Sequence, residues 1–379
     1  MASVEQLGRV LNVGLIGCGE VSQVVHIQTL LPMASWFRIT HLCDVSPSAL
    51  EHYRAKIPGS GVKTTQKAEE ICADEDVDIV MVTTADEYHI EHAILGLKHD
   101  KYGFLEKPCA LTRRDNEAII EVERKCKGSV MEIGGLDQIL YARVRCKCLL
   151  YISPYFRNIL LCQFNFVKTS SIGPNSVFVS QSGTFPKVFT DFSPEDAAGK
   201  TSRAEEMVKH ALQTEIGGVE VNPETTLMWR VLAGLGSHDL SVMREALGMP
   251  EKVVGTSLGF PFWNALFKYP NFTVSYESGI DNIPRFDALF EVYSANKAVR
   301  IQYETPYVKG LPVTMHIAAN CDGAYKETTE RRSYEDPYTL EMKELWNLVA
   351  EGKPVKTTIS NAFKDIKLFG MIMAHGYKA

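Results

Sequence analysis

A glycine-rich turn, Val13-Gly-Leu-Ile-Gly-Cys-Gly-Glu-Val-Ser22, limits what this chain can fold into more than any other feature. The apolar run from Arg9 to Ile16 is typical of a buried parallel strand, and Gly17 permits a tight turn after it. A helix is expected from about Glu20 to Leu31. Because Gly19 lacks a side chain, the backbone there could approach a pyrophosphate at which the helix aims its free N–H groups. The turn therefore predicts a nucleotide-binding site.

An acidic residue follows the glycine turn, at the end of the next predicted strand. A second strand, Phe37 to Cys43, ends at Asp44, which follows Gly19 by 25 residues. An acid at this place accepts hydrogen bonds from the adenosine ribose hydroxyls and repels a 2′-phosphate. Neither of the next two residues supplies the cation that NADP requires, so the sequence predicts NAD rather than NADP. Ser22 stands where the third glycine of the pattern would be and is still small enough for close packing of helix on strand.

The alternation of strands and helices continues beyond this unit. Further strands are predicted at Asp78 to Thr84, Tyr102 to Glu106 and Ser129 to Ile133. One helix is predicted from Glu87 to His99. A second helix, with Thr112 as its cap, is predicted to run to about Lys127. Such alternation is typical of a parallel, doubly wound α/β sheet.

Bulk composition narrows the class of protein. A chain of 379 residues is long enough for two domains. The net charge of −6 offers no basic surface for nucleic acid. Residues 1–9 contain no apolar signal segment, and the nine cysteines follow no regular framework, so we expect a cytoplasmic protein with reduced thiols. The dispersed histidines and cysteines predict no metal site.

One segment, Leu149 to Val167, is apolar enough to suggest a membrane span. A proline, a charge and several amides interrupt it, and such groups are costly at hydrocarbon depth. They are Pro154, Arg157, Asn158, Gln163 and Asn165. We therefore expect no membrane association.

Four motifs occur in an order that is familiar from one family. They are Gly17-x-Gly19, Thr83-Thr84-Ala85 with His89, Glu106-Lys107-Pro108, and Gly236-Ser-His238-Asp239 closing on Leu247-Gly248. With them the chain resembles the glucose–fructose oxidoreductase/inositol dehydrogenase family, often called Gfo/Idh/MocA, over roughly residues 8 to 376. Glu-Lys-Pro after a strand is the most specific of these elements, whereas the glycine turn alone would not select the family.

The resemblance implies an N-terminal Rossmann domain, residues 1–133, and a C-terminal α/β domain, residues 134–379, built on a large, mostly antiparallel open sheet. The outer face of that sheet commonly forms a homodimer or homotetramer in the family, and the C-terminal helix would pack near the domain junction. The sequence agrees with this fold in its strand and helix patterns. Strands are predicted at Ser176 to Gly183, Val253 to Leu258, Phe272 to Glu277, Phe286 to Tyr293 and Val299 to Tyr303, and helices at Pro337 to Glu351 and Ala362 to His375.

The resemblance also implies a chemistry: oxidation of a secondary hydroxyl of a polyol, inositol or sugar with NAD as cofactor. Lys107 would bond the substrate hydroxyl and stabilise the alkoxide, and Pro108 would hold Lys107 extended. His238 would be the general base, since imidazole titrates near neutral pH. Asp239 would orient it. A capping or packing role for His238 is the alternative.

The cofactor-binding residues follow from the same resemblance. His89 would position the loop on the nicotinamide side or cap its own helix. The full set comprises Gly17, Cys18, Gly19, Glu20, Val21, Asp44, Thr83, Thr84, Ala85, His89, Glu106, Lys107 and Pro108.

The family pattern is incomplete in the proton-transfer residues. Many members place an aspartate four residues before the histidine, and here that position is Gly234; an aspartate often found three residues after it is Ser241. A proton relay without its carboxylate would be slower or would use another acid. This keeps open a second class of function, a catalytically weak or inactive NAD(P)-binding regulator of the same fold.

A second departure lies after the strand predicted to end near Ile133. A segment that helps to line the substrate pocket in the family is absent after Met131, and residues 146–170 fit nothing in the family. Cys146-Lys-Cys148 can be encoded by TGTAAGTGT, which contains a common intron donor, GTAAGT. We interpret residues 146–170 as translated intron sequence, with a pocket exon skipped near Met131. A genuine insertion that forms an oligomer contact is the alternative.

Overall fold

The computed structural model describes residues 9–59, 61–126, 141–149, 187–281, 287–303, 311, 313–331, 333–354 and 357–378. The chain divides into two compact units. The first consists of residues 1–132 with two later segments, 184–207 and 337–363, and the second holds the remaining residues. The segments 184–207 and 337–363 thus return to the unit that carries the glycine turn.

The first unit is built on a parallel sheet of five strands in the order β3-β2-β1-β4-β5. This order confirms the predicted doubly wound parallel sheet, because the chain moves outward from β1 in both directions. The strands are β1 (Leu11–Ile16), β2 (Phe37–Cys43), β3 (Lys63–Thr65), β4 (Ile79–Val82) and β5 (Tyr102–Leu105).

The helices of this unit lie between the strands. After β1 the chain makes a π-helical turn over Ser22–His26, the short α1 (Ile27–Leu30) and a 3₁₀ turn over Leu31–Met33, which together occupy the predicted first helix. The remaining helices are α2 (Pro47–Lys56), α3 (Ala68–Ala73), α4 (His89–Lys98) and α5 (Arg113–Glu123).

Local chemistry fixes where α2 and α5 begin. The Ser46 hydroxyl accepts the backbone N–H of Ala49 at 3.0 Å, and the Thr112 hydroxyl accepts that of Asp115 at 3.1 Å. Each cap satisfies one of the N–H groups that have no partner within the helix. Thr112 is therefore confirmed as a cap, and Ser46 is a second one.

The core of the first unit forms where β1 and β4 bury their side chains. Val13, Leu15, Ile79 and Met81 are all fully buried in one cluster. The cluster also contains Trp346 of α9 (Pro337–Glu351), a helix whose bounds match the predicted ones. Burial of strands on both faces is the reason why they read as continuous apolar runs in the sequence.

The second unit contains an eight-stranded sheet, β13-β12-β11-β10-β6-β9-β8-β7. All adjacent pairs are antiparallel except β6 and β9, which confirms the predicted mostly antiparallel sheet. The strands are β6 (Tyr141–Leu149), β7 (Lys252–Ser257), β8 (Phe262–Lys268), β9 (Thr273–Asp281), β10 (Asp287–Tyr293), β11 (Lys297–Tyr303), β12 (Thr314–Cys321) and β13 (Ala324–Glu330).

Four further helices complete the described structure. The helices are α6 (Pro194–Lys209), α7 (Pro223–Val231), α8 (Ser237–Leu247) and α10 (Ile359–Tyr377). The residues of α6 and of α10 are divided between the two units.

The strand β6 enters the segment that fits nothing in the family. Cys146 pairs with Ala288 of β10 and with Ser278 of β9, and the ladder with β9 continues to Leu149 opposite Asp281. Residues 146–149 therefore form the end of a central strand. The rest of the atypical segment lies outside the described residues, as do the predicted strands Ser129 to Ile133 and Ser176 to Gly183.

A helix that crosses a bilayer needs about 20 predominantly apolar residues. None of the helices in the described residues is both long and apolar enough. Most of the apolar stretch 149–167 lies outside the described residues.

Candidate functional site

Gly17 adopts a backbone conformation that requires glycine. Its φ is +98°, and a Cβ built there would lie 2.6 Å from the carbonyl oxygen of Thr83. Its own N–H donates to the carbonyl of Cys43 at 2.8 Å. The turn after β1 is thus wedged between the ends of β2 and β4, where a side chain would not fit.

Ser22, at the position of the third glycine, ties the turn to the neighbouring strand. The hydroxyls of Ser22 and Thr83 lie 2.9 Å apart, and both reach the carbonyl oxygen of Gly17, at 2.6 and 2.7 Å. Both side chains are buried. A polar residue is accommodated here because its hydroxyl is fully engaged, which costs less than an unsatisfied buried group.

Asp44 also holds the turn. Its Oδ2 accepts the N–H of Cys18 at 2.7 Å, and its Oδ1 accepts the N–H of Ser46 at 2.8 Å. Burial raises the pKa of Asp44, these two N–H groups counteract the rise, and the nearby carboxylate of Asp191 adds to it. A carboxylate oxygen can accept two hydrogen bonds, so Asp44 retains the capacity to bind ribose hydroxyls.

The outer side of the turn is open. A Cβ built on Gly19 would meet nothing within 4 Å, and Gly19 itself is exposed. Glu20 and Val21, which follow it, are partly buried. Cys18 is buried, and burial followed by the charge of Asp44 raises the pKa of its thiol well above the usual value, which keeps it neutral. A closed inner side and an open outer side fit a turn over which a dinucleotide pyrophosphate lies.

His89 joins the ends of β4 and β5. Its Nδ1 lies 2.8 Å from the carbonyl oxygen of Pro108, and its Nε2 lies 3.1 Å from that of Thr84. Both partners are acceptors, so the ring acts as a donor wherever it carries an N–H. The contacts agree with the expected positioning role of His89, which is buried at the start of α4. Ala85, partly buried, follows Thr84 in the loop that His89 holds.

Glu106 sits directly after β5 and is fixed on both carboxylate oxygens. His26 Nε2 lies 2.7 Å from Oε1, and the backbone N–H of Lys107 donates to Oε2 at 3.0 Å. Burial favours the neutral acid, but His26, with help from Lys107 and His89, outweighs it and lowers the pKa of Glu106 to about 2. Glu106 is therefore a carboxylate at neutral pH, and it holds the backbone from which the Lys107 side chain extends.

Lys107 itself is exposed, and Pro108 after it is buried. The Lys107–Pro108 peptide bond is cis. An exposed ammonium group on a fixed backbone can donate hydrogen bonds to an oxygen that approaches from solvent.

The strand order sets these groups along one edge of the sheet. The strands β2, β1, β4 and β5 are neighbours in the sheet in that order. The residues that follow them are, in the same order, Asp44, Gly17, Thr83 and Glu106. With about 4.8 Å between adjacent strands, the row from β2 to β5 spans roughly 14 Å. Ligands of open α/β sheets bind at the carboxyl ends of the strands, and this row is such an edge.

The second unit carries His238, which is exposed in the first turn of α8. The sequence pattern predicts a helix over Leu240 to Leu247 with His238 before it. This start is wrong, because the helix begins at Ser237 and includes His238. Asp239 is fully buried, and its Oδ1 accepts the Tyr303 hydroxyl at 2.5 Å. The carboxylate of Asp239 therefore anchors α8 to β11.

The two positions at which the family often has an aspartate are both structural here. Gly234 is buried in a π-helical turn, Leu232–Gly236. Ser241 donates from its hydroxyl to Oδ2 of Asp365 at 3.0 Å, and Arg244 Nε donates to Oδ1 of the same residue at 2.7 Å. Burial raises the pKa of Asp365, and Arg244 opposes the rise.

Sequence reasoning missed His26 as a member of the site. The residue is buried and lies among Val24, Val25 and Ile27, which are also buried. A single titratable side chain within such an apolar stretch was the available signal, but its partner, Glu106, is 80 residues away.

Comparison with known proteins agrees with this geometry. Residues 11–133 match the family model described as the oxidoreductase family with an NAD-binding Rossmann fold, GFO_IDH_MocA. The chain is 29% identical over 128 residues to an inositol 2-dehydrogenase of Salmonella paratyphi B, and the match covers 33% of this chain and 36% of that protein. The chain thus spans about a third of the length of the curated relatives that it matches.

Solved structures extend the likeness of the fold to the whole chain. A levoglucosan dehydrogenase in complex with NADH is 15% identical with a TM-score of 0.63, and the match covers 96% of each chain. A 3-ketoreductase from Actinomadura kijaniata, in complex with NADP and TDP-benzene, is 12% identical with a TM-score of 0.64, covering 98% of this chain and 99% of that one. At such identities the likeness concerns the fold alone.

The glycine turn, the acid after β2 and the Glu-Lys-Pro motif after β5 all lie within the matched segment. This segment is similar to the NAD-binding Rossmann unit of the Gfo/Idh/MocA oxidoreductase family.

Proposed function

We propose that this protein is an NAD-dependent oxidoreductase that oxidises a secondary hydroxyl of a polyol, inositol or sugar. The observation that carries the proposal is the fixed backbone of Lys107. Its N–H is bound by Glu106, which His26 holds in turn, at the edge of the sheet that carries the glycine turn. A lysine held there is suited to bind the oxygen of a substrate next to a cofactor.

The cofactor-binding residues are proposed in the order of the strands. The turn from Gly17 to Val21 would hold the pyrophosphate, Asp44 the adenosine ribose, and the residues after β4 and β5 the nicotinamide side. These last residues are Thr83, Thr84, Ala85, His89, Glu106, Lys107 and Pro108. When bound, a nicotinamide ring supplies the acceptor for a hydride.

Two side chains of this protein would handle the substrate hydroxyl. The ammonium group of Lys107 donates a hydrogen bond to the oxygen and stabilises the negative charge that forms as its proton leaves. An imidazole nitrogen of His238 accepts the proton. His238 is exposed, so its imidazole is accessible to a small molecule.

The substrate class is supported by what related proteins are called. Matched relatives are named inositol 2-dehydrogenases, and one protein of similar fold is a levoglucosan dehydrogenase. Polyols and sugars share the secondary alcohol that a lysine–histidine pair would act on.

A panel of inositols, polyols and sugars, each with NAD, tests the proposal through NADH formation at 340 nm. We expect turnover with at least one compound and a fall in kcat/KM of about 10²- to 10³-fold in Lys107→Ala. The matched control is Lys125→Ala, which removes a lysine from an exposed ion pair on the surface of the same unit. Equal activity of the Lys107 variant and the wild type would reject the proposed role of Lys107.

A second candidate function is a regulator that binds NAD(P) without turnover. The observation that favours it is the buried Gly234, which supplies no carboxylate near the expected base. The two candidates differ in one measurement. Tight binding of NADH in a fluorescence titration, with no turnover on any compound of the panel, would favour the regulator.

We further propose that the protein is a homodimer or homotetramer through the eight-stranded sheet. Phe262 and Leu266 lie on one face of β8 and are 49% and 39% exposed, whereas Trp263, Ala265 and Phe267 on the other face are buried. Light scattering after gel filtration tests this, with Leu266→Glu expected to shift the mass toward the monomer.

A further inference from the structure

A short segment before α6, residues 187–192, belongs to the first unit and lies beside Asp44. The carboxamide of Gln23 fixes its beginning, because Nε2 donates to the carbonyl of Lys187 at 2.8 Å and Oε1 accepts the N–H of Lys187 at 2.9 Å. Phe189 then packs on α2, with its ring 5.3 Å from that of His52 and 6.4 Å from that of Tyr53. We call residues 187–192 the strap.

The strap brings Asp191 to the N-terminus of α2. One oxygen of its carboxylate accepts the Ser46 hydroxyl, and the other accepts the backbone N–H of Ser48 at 2.9 Å. These donors belong to the N-cap and the first turn of a ten-residue helix. Free N–H groups and the helix dipole make such a position favourable for an anion. The two hydrogen bonds lower the pKa of Asp191 to about 2, so the group is charged at neutral pH.

This position is next to the expected site of the adenosine ribose. Ser46 donates its backbone N–H to Asp44 and its hydroxyl to Asp191, so one residue bridges the two carboxylates. In dinucleotide-binding folds the acid after the second strand binds the ribose 2′-hydroxyl. A phosphate on that oxygen would carry up to two negative charges into a place where two carboxylates already lie.

We propose that Asp191 determines cofactor specificity: its carboxylate occupies the anion position at the N-terminus of α2 and so excludes the 2′-phosphate of NADP. The inference rests on the proposed binding of a nicotinamide dinucleotide by this unit. A 2′-phosphate needs N–H, hydroxyl or cationic partners, and Asp191 already engages the hydroxyl of Ser46 and the backbone N–H of Ser48. Asp44 alone would disfavour the phosphate by charge, whereas Asp191 also fills the donors that would bind it.

Titration of the full-length protein with NADH and with NADPH, followed by cofactor fluorescence, tests the inference without any substrate. We expect Asp191→Asn to bind NADPH about tenfold more tightly than the wild type does, because one like charge is removed. The affinity for NADH should stay within about threefold. The control is Glu195→Gln, which removes the same charge from an exposed residue four positions further along.

The possible failures are distinguishable. A wild-type protein that binds neither NADH nor NADPH would reject the proposed function and this inference with it. A wild type that binds NADH but gains no NADPH affinity in Asp191→Asn would reject the inference alone. Asp191→Glu, which keeps the charge, should retain the discrimination, and the melting temperature of each variant identifies any that fails to fold.

Discussion

Nε2 of His26 lies 2.7 Å from Oε1 of Glu106, and this contact ties the helical turn after β1 to the residue that follows β5. The imidazole of His26 also meets the ring of Phe104 edge-on, at 5.3 Å between centroids. Because His26 is buried and Glu106 is 15% exposed in its side chain, the pair is shielded from solvent. The shielded pair therefore fixes the position of the helical turn after β1 relative to the end of β5.

Removal of His26 should therefore lower the stability of the folded protein. We expect His26→Ala to lower the free energy of unfolding by about 3 kcal/mol, because Glu106 is left without its main partner. Urea unfolding measures this. The matched control is His99→Ala, whose partner Glu69 lies 2.9 Å away at the surface and whose loss should cost at most about 1 kcal/mol. Equal losses in the two variants would contradict the argument.

The same pair gives the protein a dependence on acid pH. The pKa of Glu106 is lowered from 4.5 to about 2 in the folded state, so its contribution to stability is present above pH 4.5 and is lost as the pH falls toward 2. The shift corresponds to about 3 kcal/mol. Other carboxylates titrate in this window, and so the measurement is the difference between wild type and Glu106→Gln in urea unfolding from pH 6 to pH 2. That difference should shrink as the pH falls.

The two glycines of the turn should respond differently to alanine. Gly17→Ala forces a Cβ to within 2.6 Å of Thr83 and a side chain into a positive φ, so we expect a loss of about 2 kcal/mol in stability. Gly19→Ala meets no protein atom and should leave stability unchanged while weakening NADH binding. Thermal unfolding and fluorescence titration separate the two effects. A stable Gly17→Ala protein would show that the turn is looser than its geometry indicates.

The buried pair of Arg244 and Asp365 should contribute to stability and not to turnover. Arg244→Met leaves a buried carboxylate with only the Ser241 hydroxyl, and we expect a loss of about 3 kcal/mol. The double variant Arg244→Met with Asp365→Leu should recover most of this loss, because neither charge then remains buried. Chemical unfolding of the three proteins tests the prediction, and a double variant as unstable as the single one would overturn it.

The local patterns in the first unit were readable because each depends on neighbouring residues. The strand at Phe37 to Cys43 has the predicted bounds, and Gly17 has the positive φ that a tight turn requires. The Thr112 cap likewise needs only the three residues after it. These features follow from backbone geometry within a few positions, and so the sequence contains them directly.

Pairings across long distances in the chain could not be read in this way. Glu106 meets His26 over 80 residues, and Asp191 meets Ser46 over 145. No local rule selects one histidine or one aspartate as the partner, because the choice depends on which strand ends become neighbours. The strand β13 was missed for another reason: it is largely exposed, and it therefore lacks the apolar alternation that marks a half-buried strand.

The position of β6 in the middle of the eight-stranded sheet limits which transcripts of the gene can encode this fold. Residues 146–149 are hydrogen-bonded into a sheet between β9 and β10, so an alternative transcript that diverges after Arg145 must supply its own residues for both ladders. A splice variant with a turn-forming sequence at this point would end β6 at Arg145 and shorten both ladders. Messenger sequences can therefore be ranked by whether the codons after Arg145 encode a strand, before any protein is made.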